Sequence, residues 1–281
     1  MNSVKLLSVL FCLLVLNSCT KEFGVGCFKG DQTFEVRMVE LSPISKIEFA
    51  VDGILHIEEG VQKIEIEAPS EIIDHIVDES ELSNGKWTIK MDRCYTGPSI
   101  IVRASLPQIN ALIISGSGDI KGSDTLRNID NLDLEIAGSG SIDIDLLDAS
   151  TLDALIAGSG NITATGRDIN THDYRIQGSG DIISDFKNGE SCRMRIVGSG
   201  NMKASGSVVD HVIEIEGSGN ASGFGFCSET CTIRTQGSGD CQVKVSNTLN
   251  VKIEGSGDVC YRGQPIVNLD IDGSGKVQNC N

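Results

Sequence analysis

The chain has 281 residues, with 32 glycines, 5 prolines, 4% aromatics and 40% hydrophobics. The glycines follow no every-third-residue period and prolines are few, which excludes a collagen helix and proline-rich disorder. Lys and Arg number 23 against 39 Asp and Glu, a formal charge of −16. Such a chain is no candidate for nucleic acid, whose binding rests on basic side chains neutralising phosphates.

In chain order, Lys5 precedes an apolar run from Leu6 to Leu16. That run is too short to span a bilayer as a helix and fits the core of a signal peptide over residues 1–18. It ends in Leu16-Asn17-Ser18-Cys19, which resembles the bacterial lipobox. Cys19 is therefore the expected lipidation site, and a membrane reached through its acyl chains is the expected partner. Thr20 stands where an aspartate would signal inner-membrane retention, so an outer-membrane lipoprotein is expected, facing the periplasm or the exterior. Residues 19–32, with Gly24, Gly26 and Gly30, read as lipidated cysteine and tether.

Residues 33–109 read as an N-terminal β cap with the first, irregular coils. Strands are expected at Phe34–Val39, Lys46–Val51, Ile54–Glu58, Lys63–Ala68, Lys86–Met91 and Ile100–Ser105. Asn84-Gly85 is a turn signal, and Ser70–Val77 fits a short helix or a strand.

From 110 to 281 one signal dominates: Gly-Ser-Gly occurs nine times. Its glycines are Gly116 and Gly118, Gly138 and Gly140, Gly158 and Gly160, Gly178 and Gly180, Gly198 and Gly200, Gly217 and Gly219, Gly237 and Gly239, Gly255 and Gly257, Gly273 and Gly275. The intervals run 22, 20, 20, 20, 19, 20, 18 and 18. A repeat near twenty residues points to a solenoid, in which each unit buries its apolar face against its neighbours. Two positions before each tripeptide stands Ile, from Ile114 to Ile271, except at Thr235. Four positions after the first glycine stand Ile120, Ile142, Ile162, Ile182, Met202, Ala221, Cys241, Val259 and Val277. Polar residues fill the alternate places, a period of two that means strands on both sides of the tripeptide.

The fold expected is all-β: a single-stranded, right-handed parallel β-helix of about 20 residues per rung. Successive rungs lie about 4.8 Å apart. The corner glycines are read as structural, for torsions that only glycine adopts cheaply and because a Cβ would meet the adjacent rungs.

Two columns bear on metal chemistry. After the tripeptides come Asp119, Ser141, Asn161, Asp181, Asn201, Asn220, Asp240, Asp258 and Lys276. Asn can bond along such a column, whereas Asp240 over Asp258 repels unless solvated or holding a cation. Calcium is the cofactor this would admit, but the period of twenty differs from the nine-residue calcium roll, and a solvated polar row is the preferred reading. Six positions before the tripeptide, His172, Cys192 and His211 follow one another on successive rungs. They are metal candidates by residue type, with core packing the preferred reading. No cofactor is expected.

Beyond Cys12 and Cys19, eight cysteines remain: Cys27, Cys94, Cys192, Cys227, Cys231, Cys241, Cys260 and Cys280. Export permits disulfides, with on the order of a hundred full pairings. Cys260 with Cys280 would staple the C-terminal end, and Cys27 with Cys94 would tie down the N-terminal part.

The GSGD and GSGN rungs, with SPISKIEFAVDGILHIEEGVQKIEIEAPSEIIDHI and LSNGKWTIKM, resemble the bacterial "putative auto-transporter adhesin, head GIN domain" proteins, lipoproteins common in Bacteroidetes. The resemblance covers residues 33–281. It implies a right-handed parallel β-helix and, loosely, an adhesin-like role, and it brings no catalytic motif.

The expected function is a non-enzymatic, lipid-anchored envelope protein presenting a repetitive acidic β-helix surface to a glycan or protein ligand. One alternative is an envelope scaffold that self-associates end to end. Another is a polysaccharide-active enzyme, for which Asp143, Asp145 and Asp148 form an acidic edge near Asp124 and Arg127.

Overall fold

A computed structural model describes residues 27–29, 33–127 and 129–281. The expected signal segment 1–18, Cys19 and most of the tether lie outside the described residues.

The repeat folds as alternation dictates. Each rung lays one strand before its Gly-Ser-Gly and one after it, so the strands stack into two parallel faces. On the first face Ala111–Ile114, Asn131–Ile136, Thr151–Ile156 and Thr171–Ile176 pair in parallel, each residue over its counterpart one repeat earlier. On the second face Asp119–Gly122, Ser141–Leu147 and Asn161–Arg167 do the same. From Ile182 onward the strand after one tripeptide merges through the turn side with the strand before the next, giving long strands: Ile182–Gly198, Met202–Gly217, Ala221–Thr235 and Cys241–Ile253. Their ladders carry register shifts, as between Phe186 and Gly189 and between Ser222 and Cys227. Ile266–Ile271 ends the first face and Val277–Asn279 the second.

The core is a set of columns rather than a ball. Ile136, Ile156, Ile176 and Ile196 stand one above another with no exposed surface. Each such burial contributes about 1.5–3 kcal/mol, so every rung stabilises the next. Tyr174 replaces an aliphatic in a neighbouring column and is also buried, as is Trp87.

The N-terminal part departs from simple stacking. Lys46–Phe49 and Gly53–Glu59 form a true rung, seated directly on Ala111–Ile114 and Asp119–Gly122. The chain then leaves the stack, and Lys86–Ile89 and Ile100–Leu106 return outside that first rung. The spatial order of the first three rungs is therefore second, first, third. Between them lie Lys63–Pro69, antiparallel to Ile100–Leu106, and the helix Ser70–Glu79, which buries Ile72, Ile73 and Ile76. Phe34–Met38 and Glu81–Ser83 add further antiparallel strands. Asn84 and Gly85 both take positive φ in the hairpin turn, as expected of that dipeptide. This end of the solenoid is thus closed by antiparallel strands and one helix.

Two disulfides form, Cys27–Cys94 and Cys260–Cys280. The first docks the tether: Phe28 donates its N–H to the Cys94 carbonyl at 2.9 Å and accepts from Thr96 at 2.8 Å. Cys192, Cys231 and Cys241 are buried thiols and Cys227 is a half-buried one.

Of the two causes expected for the corner glycines, close approach to the adjacent rung outweighs torsion. Among the tripeptide glycines only Gly198 and Gly217 adopt positive φ. Close approach along the axis decides the rest. A Cβ on Gly160 would lie 1.9 Å from the Gly140 carbonyl oxygen, and one on Gly180 would lie 1.8 Å from that of Gly160. The central serine donates its N–H to the first glycine one rung back, as Ser159 does to Gly138 at 3.1 Å.

Candidate functional site: the outward columns of the two faces

The column after the tripeptide is a hydrogen-bonded ladder. Each side-chain Oδ1 accepts the backbone N–H of its successor one rung on: Asp181 from Asn201 at 2.8 Å, Asn201 from Asn220 at 3.2 Å, Asn220 from Asp240 at 2.9 Å. Asp240 accepts from Asp258 and Asp258 from Lys276, both at 2.8 Å. Asn side chains also donate along the row, Asn220 Nδ2 to Asn201 Oδ1 at 3.0 Å. Asp240 and Asp258 are both exposed to solvent, and the ladder adds a backbone contact that the residue types alone do not announce. An oriented N–H sits between the two carboxylates and offsets their repulsion. This explains why Asp and Asn both suit the position: each supplies the same short acceptor.

His172, Cys192, His211 and Cys231 share one inward column, in register on consecutive rungs. All four are buried, and each points into the core at its own level. The Tyr174 hydroxyl lies 3.0 Å from His172 Nδ1, Phe186 packs on the His172 ring, and Phe226 meets the His211 ring edge-on. Burial pushes His172 down to about 4 and His211 down to about 3. It drives the Cys231 thiol up to about 12. These are packed core residues. Among the described residues no group of three or more His, Cys, Asp or Glu is placed to hold a metal ion. His172, Cys192 and His211 thus share a column without forming such a group, and Asp240 and Asp258 lie apart from them in the outward ladder.

The outward columns differ between faces. On the first face Asp133, Asp153 and Asp173 stack in register. The Asp153 carboxyl is raised by burial first and by its two neighbours after. Further along, cross-rung ion pairs take over: Arg193–Glu214 at 3.2 Å, Arg195–Glu216 at 2.9 Å and Arg234–Glu254 at 3.0 Å. Hydrogen bonds from Gln236, Lys252 and Arg234 hold Glu254 down at about 2.

On the second face a strip unforeseen in the sequence emerges. Arg127, Leu147, Arg167 and Lys187 occupy one column. Among the described residues none of these three cations is in an ion pair. Beside them run Thr125, Asp145, Thr165 and Asp185, and together the columns line a groove of about 240 Å³. Thr125 and Thr165 donate their hydroxyls to Asp145 at 2.6 and 3.2 Å. Of the expected acidic edge, Asp145 is thus one wall of this groove, while Asp124, Asp143 and Asp148 are exposed outside it. The signal that could have found the strip was the spacing of Arg127, Arg167 and Lys187 at whole multiples of the 20-residue repeat, read with the turn register. A larger depression lies elsewhere, on the turn side: about 590 Å³, walled by Val208, Val209 and Val245 and opened by the small residues Gly189 and Ser228. Asn188, Glu229, Lys244 and Gln264 add polar groups to its lining.

A β-solenoid displaying repetitive polar columns defines the class. The family described as "Putative auto-transporter adhesin, head GIN domain" matches residues 56–184 and 168–265, and the chain belongs to it. Three crystal structures are similar. A protein described as a putative lipid binding protein from Parabacteroides distasonis is 19% identical over 91% of this chain and 100% of its own, with a TM-score of 0.67. A putative adhesin from Parabacteroides merdae is 16% identical over 92% of this chain and 100% of its own, at 0.65. A putative adhesin from Bacteroides fragilis is 17% identical over 90% and 99%, at 0.51. At these identities the likeness shows a shared fold. No curated protein matches the chain. The family supports an adhesin-like binding role and a place at the cell surface or in the envelope. Among the described residues no helix is long and apolar enough to cross a membrane.

Proposed function

We propose that the chain is a lipid-anchored, non-enzymatic binding module of the outer membrane, held by Cys19, whose acidic solenoid takes its ligand along its outward columns. The observation that carries this reading is the second-face strip, where Arg127, Arg167 and Lys187 stand unpaired beside Asp145, Asp185 and Thr165. Cations at whole-rung separations along the axis, two rungs from Arg127 to Arg167 and one from Arg167 to Lys187, next to carboxylates and hydroxyls, match a linear polymer that bears acidic and hydroxyl groups. A glycan bearing carboxylate, sulfate or phosphate groups has that chemistry. The surrounding negative charge repels polyanions whose groups miss the register, which adds specificity. The single Trp and Tyr174 are buried, so the strip works through polar contacts rather than through stacking on either ring. Binding of residues 20–281 to glycan and protein arrays, with calcium and with chelator, tests this. Saturable binding to acidic glycans in both buffers supports it. Binding to neutral glycans alone, or none, overturns it, and loss under chelator reassigns the contact to a metal.

A further inference from the structure

The last rung of the solenoid is open. Val251 and Ile253 are 3% and 0% exposed, yet their in-register successors Leu269 and Ile271 are 52% and 40% exposed. These are core positions that no rung among the described residues covers. Ile266–Ile271 is paired on one edge only, and so is Val277–Asn279. The Cys260–Cys280 bridge ties the terminal segment to the rung beneath it and leaves both edges bare. Exposed apolar core beside two unpaired strand edges is an unfinished sheet, which invites strand pairing.

We infer that a second copy of this chain covers this end, tail to tail, through antiparallel pairing of Ile266–Ile271 with itself about a twofold axis at Leu269. Three observations select this occupant. First, the opposite end finishes in antiparallel strands and the helix Ser70–Glu79 instead of a bare parallel rung, so the two ends do not match for head-to-tail stacking, although Phe34–Met38 there is also paired on one edge only. That end also shows that this solenoid accepts antiparallel neighbours on both faces. Second, the strand is self-complementary in this register. Inward, Val267 of one protomer faces Ile271 of its partner and Leu269 faces its own copy. Outward, Asn268 faces Asp270, an amide donor against a carboxylate. A twofold through Leu269 keeps every inward side chain inward, which a shift by one residue would reverse. Third, both faces contribute an edge. A strand of six residues spans about 20 Å and packed sheets lie about 10 Å apart, so the pairing continues two backbone ladders, one on each face, across the core between them. The contact is isologous and closes at two copies. It lies at the tail, away from the second-face strip, so it stands independently of what that strip binds.

The test uses the full chain in detergent, below one protein per micelle. Wild type is expected to sediment as a dimer at micromolar concentration. Leu269 faces itself, so Leu269→Lys and Leu269→Glu each place like charges together, and each alone is expected to be monomeric. An equimolar mixture of the two is expected to restore the dimer. Leu269 is half exposed in one protomer, so both variants are expected to keep the wild-type melting temperature when compared as monomers. As an independent readout, Leu269→Cys in a Cys227→Ser background is expected to crosslink on mild oxidation, since facing residues lie within disulfide reach. A monomeric wild type at 100 µM overturns the inference. So does growth beyond the dimer, a dimer unaffected by either charge, or a mixture that stays monomeric.

Discussion

Asp240 Oδ1 accepts the backbone N–H of Asp258 across one rung at 2.8 Å, so two stacked carboxylates are joined rather than opposed. The acceptor matters and the charge does not. Asp240→Asn is expected to keep the melting temperature within a degree or so. Asp240→Ala leaves the Asp258 N–H without its partner, at a cost of about 1 kcal/mol. For a domain of this length that is a fall of roughly 2–4 °C by thermal denaturation. Calcium or chelator is expected to leave both values unchanged. A calcium-dependent rise lost in Asp240→Asn would reinstate a cation in the ladder.

Gly160 and Ser159 sit side by side at a corner yet are expected to respond oppositely. A Cβ on Gly160 would meet the Gly140 carbonyl oxygen at 1.9 Å and the Ile136 side chain at 2.8 Å, both fixed by the stack. Gly160→Ala must push two rungs apart, and a loss of more than 3 kcal/mol is expected, at the upper end for single substitutions. Ser159 is exposed and contributes its backbone N–H to the corner. Ser159→Ala is expected to change stability by less than about 0.5 kcal/mol. Soluble yield and denaturant midpoints for the pair separate close approach from a general sensitivity of corners.

Much of this architecture is legible in the residues, because a solenoid repeats its physics once per rung. Ile136, Ile156 and Ile176 announce a column by spacing alone, and alternation around them names the strands. What stayed hidden depends on non-repeating contacts. That Lys46–Phe49 lies inside Lys86–Ile89 cannot be read from order, because both segments carry the same alternation. The turn-side groove arises where small residues at Gly189 and Ser228 coincide with register shifts in the ladder. The cation strip needs the register of a variable turn, which glycine spacing does not supply. Glycine at the corner was legible with both of its reasons, but not their weights: torsion and close approach write the same residue.

Thr235 is the one break in the column of isoleucines before the tripeptides. It is fully buried, and its Oγ1 has no hydrogen-bond partner. A buried hydroxyl without a partner costs about 1–3 kcal/mol. Thr235→Val removes it with little change of shape, and a gain of about 1 kcal/mol is expected, seen as a rise of roughly 2–4 °C. Thr235→Ile, which restores the residue of the adjacent rungs, is expected to equal or exceed it. A fall in both variants would mean that the hydroxyl is satisfied.

His172 and His211 set an acid limit. Burial lowers them to about 4 and about 3, below the unfolded value near 6.5. A depressed histidine favours the neutral form in the fold. Its contribution is full above about pH 6.5 and is lost as pH falls toward the folded value, because the unfolded chain takes up the proton first. By pH 5 each histidine costs about 2 kcal/mol. Leucine fills the same column at Leu152 and Leu249. The His172→Leu/His211→Leu variant is therefore expected to fold at pH 7 and to lose most of the fall in melting temperature between pH 6.5 and 5. An unchanged slope would place the acid sensitivity elsewhere.

Arg127, Arg167 and Lys187 make the binding proposal quantitative. None is in an ion pair among the described residues, and all three border the groove beside Asp145. Removing one charge-assisted contact to a ligand costs about 1.5–3 kcal/mol, so Arg167→Ala is expected to weaken binding of an acidic glycan about 10- to 100-fold. Arg167→Lys keeps the charge but loses the planar fork, and an intermediate loss is expected. Raising salt from 0.05 to about 0.5 M should weaken wild type more than Arg167→Ala, because the variant has lost one screened contact. The melting temperature is expected to stay put, since the side chain is exposed. Equal affinity across all three proteins, measured by calorimetry on one glycan, would remove the strip from the binding site and turn attention to the first face, where Arg193, Arg195 and Arg234 are already paired with glutamates.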